Sequence, residues 1–219
     1  MRTKDKTNKI INILQQEYPH AKIALNFSNP IELLVATVLS AQSTDVTVNK
    51  VTPAIFRKYK NVNAYAQADL KELEREIYST GFYHNKAKNI IAAARLLMAQ
   101  YNGKIPATMD EILELPGVAR KTGNIILFNA YGVVAGIPVD THVRRLSQRL
   151  GLTKNNVPEK IEQDLMKLVP QKLWGKFSYL LIDHGRKICD AKKPKCPACV
   201  LNKLCPSYKV FFPGENHVA

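Results

Sequence analysis

Residues Leu115–Leu150 of the 219-residue chain read LPGVARKTGNIILFNAYGVVAGIPVDTHVRRLSQRL, and they predict a tight turn, a helix, a loop and a second helix. Pro116 fixes one φ angle, and Gly117 can adopt the positive φ that a tight turn requires. From Arg120 to Ala130 the apolar residues follow helical spacing. A glycine turn that opens a helix leaves backbone N–H groups at the positive end of the helix dipole. The turn can therefore bind an anion such as a phosphate.

Lys121 lies in the first turn of that predicted helix, next to Arg120. The helix dipole and Arg120 both disfavour a positive charge at this position, and a neutral amine is a nucleophile. Asp140 follows one helix and one loop later. It can cap the next helix, or chain reversal can return its carboxylate toward the amine. A solvated lysine and a capping aspartate are the commoner roles, so the residues alone leave structural and catalytic interpretations open.

The charge of the chain points to a polyanionic partner. There are 32 Lys and Arg against 18 Asp and Glu, which gives a formal net charge of +14 and a pI near 9.6. Nucleic acid fits this excess better than a membrane, because no apolar run approaches the roughly 20 residues that span a bilayer. The N-terminus also lacks the apolar core of a signal peptide. We therefore expect a cytoplasmic, nucleoid-associated protein without a membrane partner.

Four cysteines lie close together near the C-terminus, with the spacing C-x6-C-x2-C-x5-C. In a reducing compartment such cysteines are more often metal ligands than disulfide partners. Their spacing alone leaves a zinc ion and a [4Fe–4S] cluster both open. The predicted metal ligands are Cys189, Cys196, Cys199 and Cys205.

Helical patterns also cover most of the remaining chain, and no segment of convincing length has strand periodicity, so the predicted fold class is all-α. Residues 1–9 are polar and basic, and we expect them to be frayed. Two predicted connections between helices each contain one further candidate site residue. Gln42 lies in Ser40–Asp45, whose plain role is to join two helices, and Phe82 lies in Ser79–Lys86, where simple packing at a turn is the plain role.

The segments LPGVARKTGN and VDTHVRRL, followed by the four cysteines, resemble the helix-hairpin-helix DNA glycosylases and, within them, the endonuclease III group. The resemblance covers about residues 5–208. It implies that Lys121 is the Schiff-base lysine, that Asp140 is the essential aspartate, and that the cysteines hold a [4Fe–4S] cluster. One departure is Ala119, where the family hairpin usually has glycine.

The resemblance also implies residues that contact DNA. Gln42 matches a glutamine that enters the gap left by an extruded nucleotide, and its amide can both donate to and accept from the orphaned base. Phe82 occupies the position of an apolar wedge between base steps. Gly117 and Ala119 belong to the phosphate-binding hairpin, and His142 is a further predicted DNA contact.

The implied architecture is two helical lobes with a DNA-binding cleft between them. Residues 25–132 would form one lobe, and residues 1–24 with 133–219 the other. The implied activity is that of a monomeric bifunctional glycosylase and AP lyase, acting on double-stranded DNA with damaged bases, expected to be oxidised pyrimidines, or with abasic sites. A monofunctional mismatch glycosylase is disfavoured by Lys121. A non-catalytic DNA-binding module with a redox-sensing cluster is disfavoured by the presence of both Lys121 and Asp140.

Overall fold

The computed structural model describes residues 2–213, and every regular element in that range is helical, so the all-α prediction is confirmed. The chain divides into two compact units. One is continuous, from Ala24 to Ala135, and the other joins the residues before Ala24 to those from Gly136 onward.

The continuous unit contains seven α-helices and the 3-10 turn Tyr78–Thr80 among its described residues. The helices are α2 (Pro30–Ser40), α3 (Asp45–Lys58), α4 (Val62–Ala66), α5 (Leu70–Ile77), α6 (Tyr83–Gln100), α7 (Met109–Leu113) and α8 (Arg120–Tyr131). Helix α2 is buried along most of its length and packs against α3, α6 and α8. Its start follows from local sequence, because the Asn29 side chain accepts a hydrogen bond from the Glu32 N–H at 3.0 Å and Pro30 occupies the first turn.

The discontinuous unit contains α1 (Thr3–Glu17), α9 (Thr141–Arg149), α10 (Pro158–Leu168), α11 (Trp174–Lys187) and α12 (Tyr208–Phe211). Three 3-10 turns accompany them, at Gln171–Leu173, Cys196–Ala198 and Asn202–Leu204. Its apolar core is shared by residues far apart in sequence, including Ile10, Leu14, Val143, Leu146 and Leu180. Helix α1 is therefore held by packing against the C-terminal part of the chain.

The expectation that residues 1–9 are frayed is wrong for the residues from Thr3 onward. Helix α1 begins at Thr3, and Thr7 is fully buried and donates its hydroxyl hydrogen bond to the Thr3 carbonyl at 2.9 Å. The Lys6 ammonium donates to the carbonyl of Leu150 at 2.6 Å. Tertiary contacts thus order a segment whose polar composition alone favours disorder.

The short helix α4 was not predicted. Its N-cap Asn61 accepts from the Ala64 N–H at 2.9 Å, and Tyr65 is fully buried with its ring stacked on Tyr59 at 5.0 Å. Among the described residues, no helix is both long and apolar enough to cross a lipid bilayer.

Candidate active site and cysteine cavity

The hairpin Leu115–Val118 is closed by a hydrogen bond from the Val118 N–H to the Leu115 carbonyl at 3.0 Å, and both side chains are buried. Gly117 has a φ of +81°, where glycine is strongly favoured. A Cβ at this position would also lie 2.9 Å from the Cβ of Asn89. The hairpin therefore requires glycine at 117 for its backbone conformation and for its close contact with α6.

Helix α8 begins directly after the hairpin. Its N-cap, Ala119, has extended backbone and no side-chain group that could bond the first-turn N–H groups. Lys121 lies in this first turn, is exposed, and forms no hydrogen bond or ion pair within the described part of the chain. The start of α8 thus combines uncapped N–H donors with an accessible primary amine.

Asp140 is the N-cap of α9, as its position in the sequence predicts. Its Oδ1 accepts a hydrogen bond from the Val143 N–H at 2.7 Å, and the residue is half-buried. Its other carboxylate oxygen has no hydrogen-bond partner among residues 2–213. The cap therefore fixes the orientation of the carboxylate and leaves one oxygen available.

His142 lies one residue into α9 and is half-buried. Its Nδ1 lies 3.1 Å from Nη2 of Arg145, which also donates to the Gly185 carbonyl at 3.0 Å. Burial lowers the pKa of His142 below its ordinary value; Asp140 acts in the opposite direction, and Arg145 and Arg186 reinforce the lowering. The ring is therefore neutral at neutral pH.

Gln42 and Phe82 share an unusual backbone conformation. Gln42 has a φ of +53° and Phe82 a φ of +49°, and Asn102 is the one other non-glycine residue with positive φ in the described range. Both side chains are exposed, Phe82 to 63%. Non-glycine residues in this region cost about 1–3 kcal/mol each and persist where the surrounding structure enforces them. The two loops therefore hold an amide and an aromatic ring toward solvent at an energetic cost.

The four cysteines line one cavity of the discontinuous unit. Apolar residues such as Leu146, Leu150 and Ile188 form part of its wall. Burial raises the pKa of the Cys199 thiol to about 12, and burial also raises those of Cys196 and Cys205. Thiolates in such surroundings require a compensating positive charge, which a bound metal centre supplies.

Hydrogen-bond donors also reach the sulfurs. The Arg149 guanidinium donates to Sγ of Cys189 at 3.3 Å, the Leu201 N–H donates to Sγ of Cys199 at 3.4 Å, and Nε2 of the buried His184 lies 3.3 Å from the same Cys199 sulfur. N–H donors around sulfur ligands are typical of iron–sulfur centres.

Within residues 2–213, no three His, Cys, Asp or Glu side chains are gathered closely enough to bind one metal ion. A zinc ion needs four ligands around one atom, whereas a [4Fe–4S] cluster takes one thiolate on each of four separate irons. The four cysteines that line the shared cavity provide the four thiolates that such a cluster requires.

Sequence reasoning did not identify the arginines that join α9 to the cysteine loop. Arg145 donates to the Cys189 carbonyl at 2.9 Å, and Arg149 donates to the carbonyls of Asp190 at 2.6 Å and Ala191 at 2.8 Å. The available signal was their spacing of four residues, which places both on one face of α9.

Comparisons with known proteins find a matching family profile, similar sequences and similar solved structures. A family profile described as HhH-GPD superfamily base excision DNA repair protein matches residues 35–171. Endonuclease III of Synechocystis sp. is 54% identical over 204 residues, covering 93% of each chain. A solved structure of a non-covalent endonuclease III–DNA complex has a TM-score of 0.91 and 42% identity, covering 96% of this chain and 98% of its own. A trapped endonuclease III–DNA covalent intermediate has the same TM-score and identity, covering 96% and 99%.

Proposed function

Because this chain belongs to the HhH-GPD superfamily of base excision DNA repair proteins and, within it, to the endonuclease III family, we propose that Lys121 and Asp140 carry its chemistry. The chain is a bifunctional DNA glycosylase and abasic-site lyase. Its proposed substrate is double-stranded DNA at the nucleoid, with oxidised pyrimidines or abasic sites, bound by a monomer. The observation that carries the assignment is the exposed amine of Lys121 in the first turn of α8.

The proposed reaction begins with the neutral amine of Lys121. Its lone pair attacks C1′ of the damaged nucleotide, and the bond between C1′ and the base breaks with its electron pair leaving on the base, which takes up a proton. An amine proton, accepted by Asp140, passes to O4′ as the C1′–O4′ bond breaks and the sugar ring opens, which gives a protonated imine between Nζ and C1′. Removal of a proton from C2′ then breaks the C3′–O bond and expels the 3′ phosphate. Hydrolysis of the imine returns the lysine.

Asp140 has two proposed roles in these steps. Its carboxylate stabilises the positive charge that develops on the sugar as the base departs, and it accepts a proton from the lysine. The support is its capping geometry, because the Val143 N–H holds one oxygen and so orients the other. The cap and the charge stabilisation thus use different oxygens of the same side chain.

We propose that DNA is contacted by the hairpin, by the side chains of Gln42 and Phe82, and by His142. The hairpin of Gly117 and Ala119 presents backbone N–H groups to a phosphate, supported by the uncapped start of α8. Gln42 and Phe82 fill the space left by an extruded nucleotide, supported by their exposure and enforced positive φ. His142 contacts DNA as a neutral ring.

Duplexes that each carry one defined lesion test the proposed substrate class and chemistry together. We expect excision of oxidised pyrimidines, strand cleavage on the 3′ side, and a covalent protein–DNA adduct when borohydride reduces the imine. A duplex without a lesion is the control. Base release without strand cleavage or adduct would indicate a monofunctional glycosylase instead.

Changing both Gln42 and Phe82 to Ala should reduce excision from a fully paired duplex by roughly ten-fold, and reduce cleavage at a pre-formed abasic site much less. The difference arises because less stacking must be lost at an abasic site. The two single-turnover rates provide the measurement, and Val46→Ala, at an exposed residue of the same unit, is the matched control. Equal losses on the two substrates would contradict the assignment.

We propose that Cys189, Cys196, Cys199 and Cys205 hold a [4Fe–4S] cluster. The support is the shared cavity and the N–H donors around the sulfurs. When bound, the cluster would link separate segments of a loop that has little apolar content of its own. Nothing in the proposed bond-breaking steps passes through it.

Purified protein is therefore expected to be brown, with about four irons and four inorganic sulfides per chain. Cys199→Ser should lower the iron content and weaken DNA binding by about ten-fold, because the loop loses one of its fixed points. Val200→Ser, at an exposed neighbour in the same loop, should change neither quantity. One zinc per chain with no sulfide, in protein purified without oxygen, would exclude the cluster.

A further inference from the structure

Lys86 is a buried lysine that the proposed chemistry does not use. It lies in the first turns of α6 and is 5% exposed. Its Nζ donates to the carbonyl of Leu39 at 2.7 Å and to the carbonyl of Thr80 at 2.8 Å. Buried lysines normally pair with a carboxylate. Within the described residues no carboxylate pairs with Lys86, and both of its acceptors belong to the backbone.

The two acceptors explain why a lysine is found there. Leu39 lies in the last turn of α2, and Thr80 is the last residue of the 3-10 turn Tyr78–Thr80. Carbonyls at the ends of helices lack partners within the helix, and the negative end of the helix dipole attracts a cation. Lys86 is removed from water at 5% exposure, and this burial lowers the pKa of its ammonium group. One side chain thus bonds two helix ends that are 41 residues apart in sequence.

Each helix end leads directly into one of the two strained loops. Gln42 follows Leu39 by three residues, and Phe82 follows Thr80 by two. Both have positive φ, which their local sequence disfavours. Such a conformation persists where surrounding contacts fix the backbone, and Lys86 supplies a contact immediately before each of them.

We propose that Lys86 is a positioning residue that fixes the Gln42 and Phe82 loops relative to each other for insertion into DNA. The proposal rests on the function proposed above for those two side chains. Lys86 itself does not touch DNA. It acts through the backbone of both loops, so its contribution exists only when Gln42 and Phe82 are present.

The test combines Lys86→Met with the double variant in which Gln42 and Phe82 are both Ala. Lys86→Met alone should lower excision from paired duplex by up to roughly ten-fold, which is the loss expected for the double variant, and leave cleavage at a pre-formed abasic site within about three-fold. Added to the double variant, it should cause no further loss in excision, because the side chains it positions are already absent. Lys160→Met, at an exposed lysine of α10, controls for the loss of one positive charge.

Thermal stability of each variant separates positioning from general destabilisation. If the losses in excision add in the triple variant, or if both reactions fall equally, Lys86 only supports the fold and the proposal is overturned. If the double Ala variant alone has no effect on excision, the proposed function of Gln42 and Phe82 fails independently of Lys86. Should Lys86→Met not fold, Lys86→Gln, which keeps a shorter donor, replaces it under the same criteria. Failure of both to fold would also overturn the proposal.

Discussion

Lys121→Gln is expected to abolish the borohydride-trapped adduct and to reduce base excision and strand cleavage by roughly 10⁴-fold or more. The amide retains polarity and much of the side-chain length, but its nitrogen cannot form an imine. Binding to lesion-containing duplex should change by less than about three-fold, because affinity depends mainly on phosphate contacts. Helical content should be unchanged, since Lys121 is exposed and forms no hydrogen bond within residues 2–213.

Gel analysis after borohydride reduction and single-turnover rates on one defined lesion measure this loss. Lys160→Gln, which removes the same charge from an exposed position of α10, is the matched control and should retain full activity. A trapped adduct that persists in Lys121→Gln would mean that another amine is the nucleophile, and the proposed catalytic assignment would then be wrong.

Asp140→Asn is expected to slow excision by about 10²- to 10³-fold while leaving the fold intact. A neutral amide stabilises a cationic sugar less well than a carboxylate and is a poor proton acceptor. Asparagine is nevertheless as good an N-cap as aspartate, so the bond to the Val143 N–H is retained.

The comparison with Asp140→Ala separates the two roles. Alanine removes the charge and the cap together, and should destabilise the protein by about 1 kcal/mol, whereas Asp140→Asn should stay close to the parent in a denaturant titration. Full activity in Asp140→Asn would show that capping is the sole role of this residue. A loss of activity that follows stability across both variants would lead to the same conclusion.

Features fixed by neighbouring residues were predictable from sequence. The Asp140 cap, the start of α2 at Asn29–Pro30 and the hairpin around Gly117 all depend on contacts within a few positions along the chain. Residue type and spacing are sufficient to predict such features. The family profile and the relatives likewise confirm the predicted enzyme class.

Features fixed by distant residues were not predictable. The start of α1 at Thr3 depends on burial of Thr7 and on the bond from Lys6 to Leu150, and neither is visible in a polar N-terminal segment. The positive φ values of Gln42 and Phe82 oppose the preference of their own residue types. Lys86 reads as an ordinary surface lysine until the structure brings to it the carbonyls of Thr80 and of Leu39, which is 47 residues away.

The interrupted order of the discontinuous unit has a consequence for synthesis on the ribosome. The continuous unit, from Ala24 to Ala135, can complete its core as soon as that length of chain has emerged. Helix α1 is made before the continuous unit, but the core that buries its apolar residues Ile10 and Leu14 is complete only after α9, α10 and α11 have been synthesised. At about 5–20 residues per second, this apolar face waits on the order of ten seconds before it can be buried. During that interval the apolar face of α1 is exposed, and the polar, lysine-rich residues beside Ile10 help to keep the nascent chain in solution.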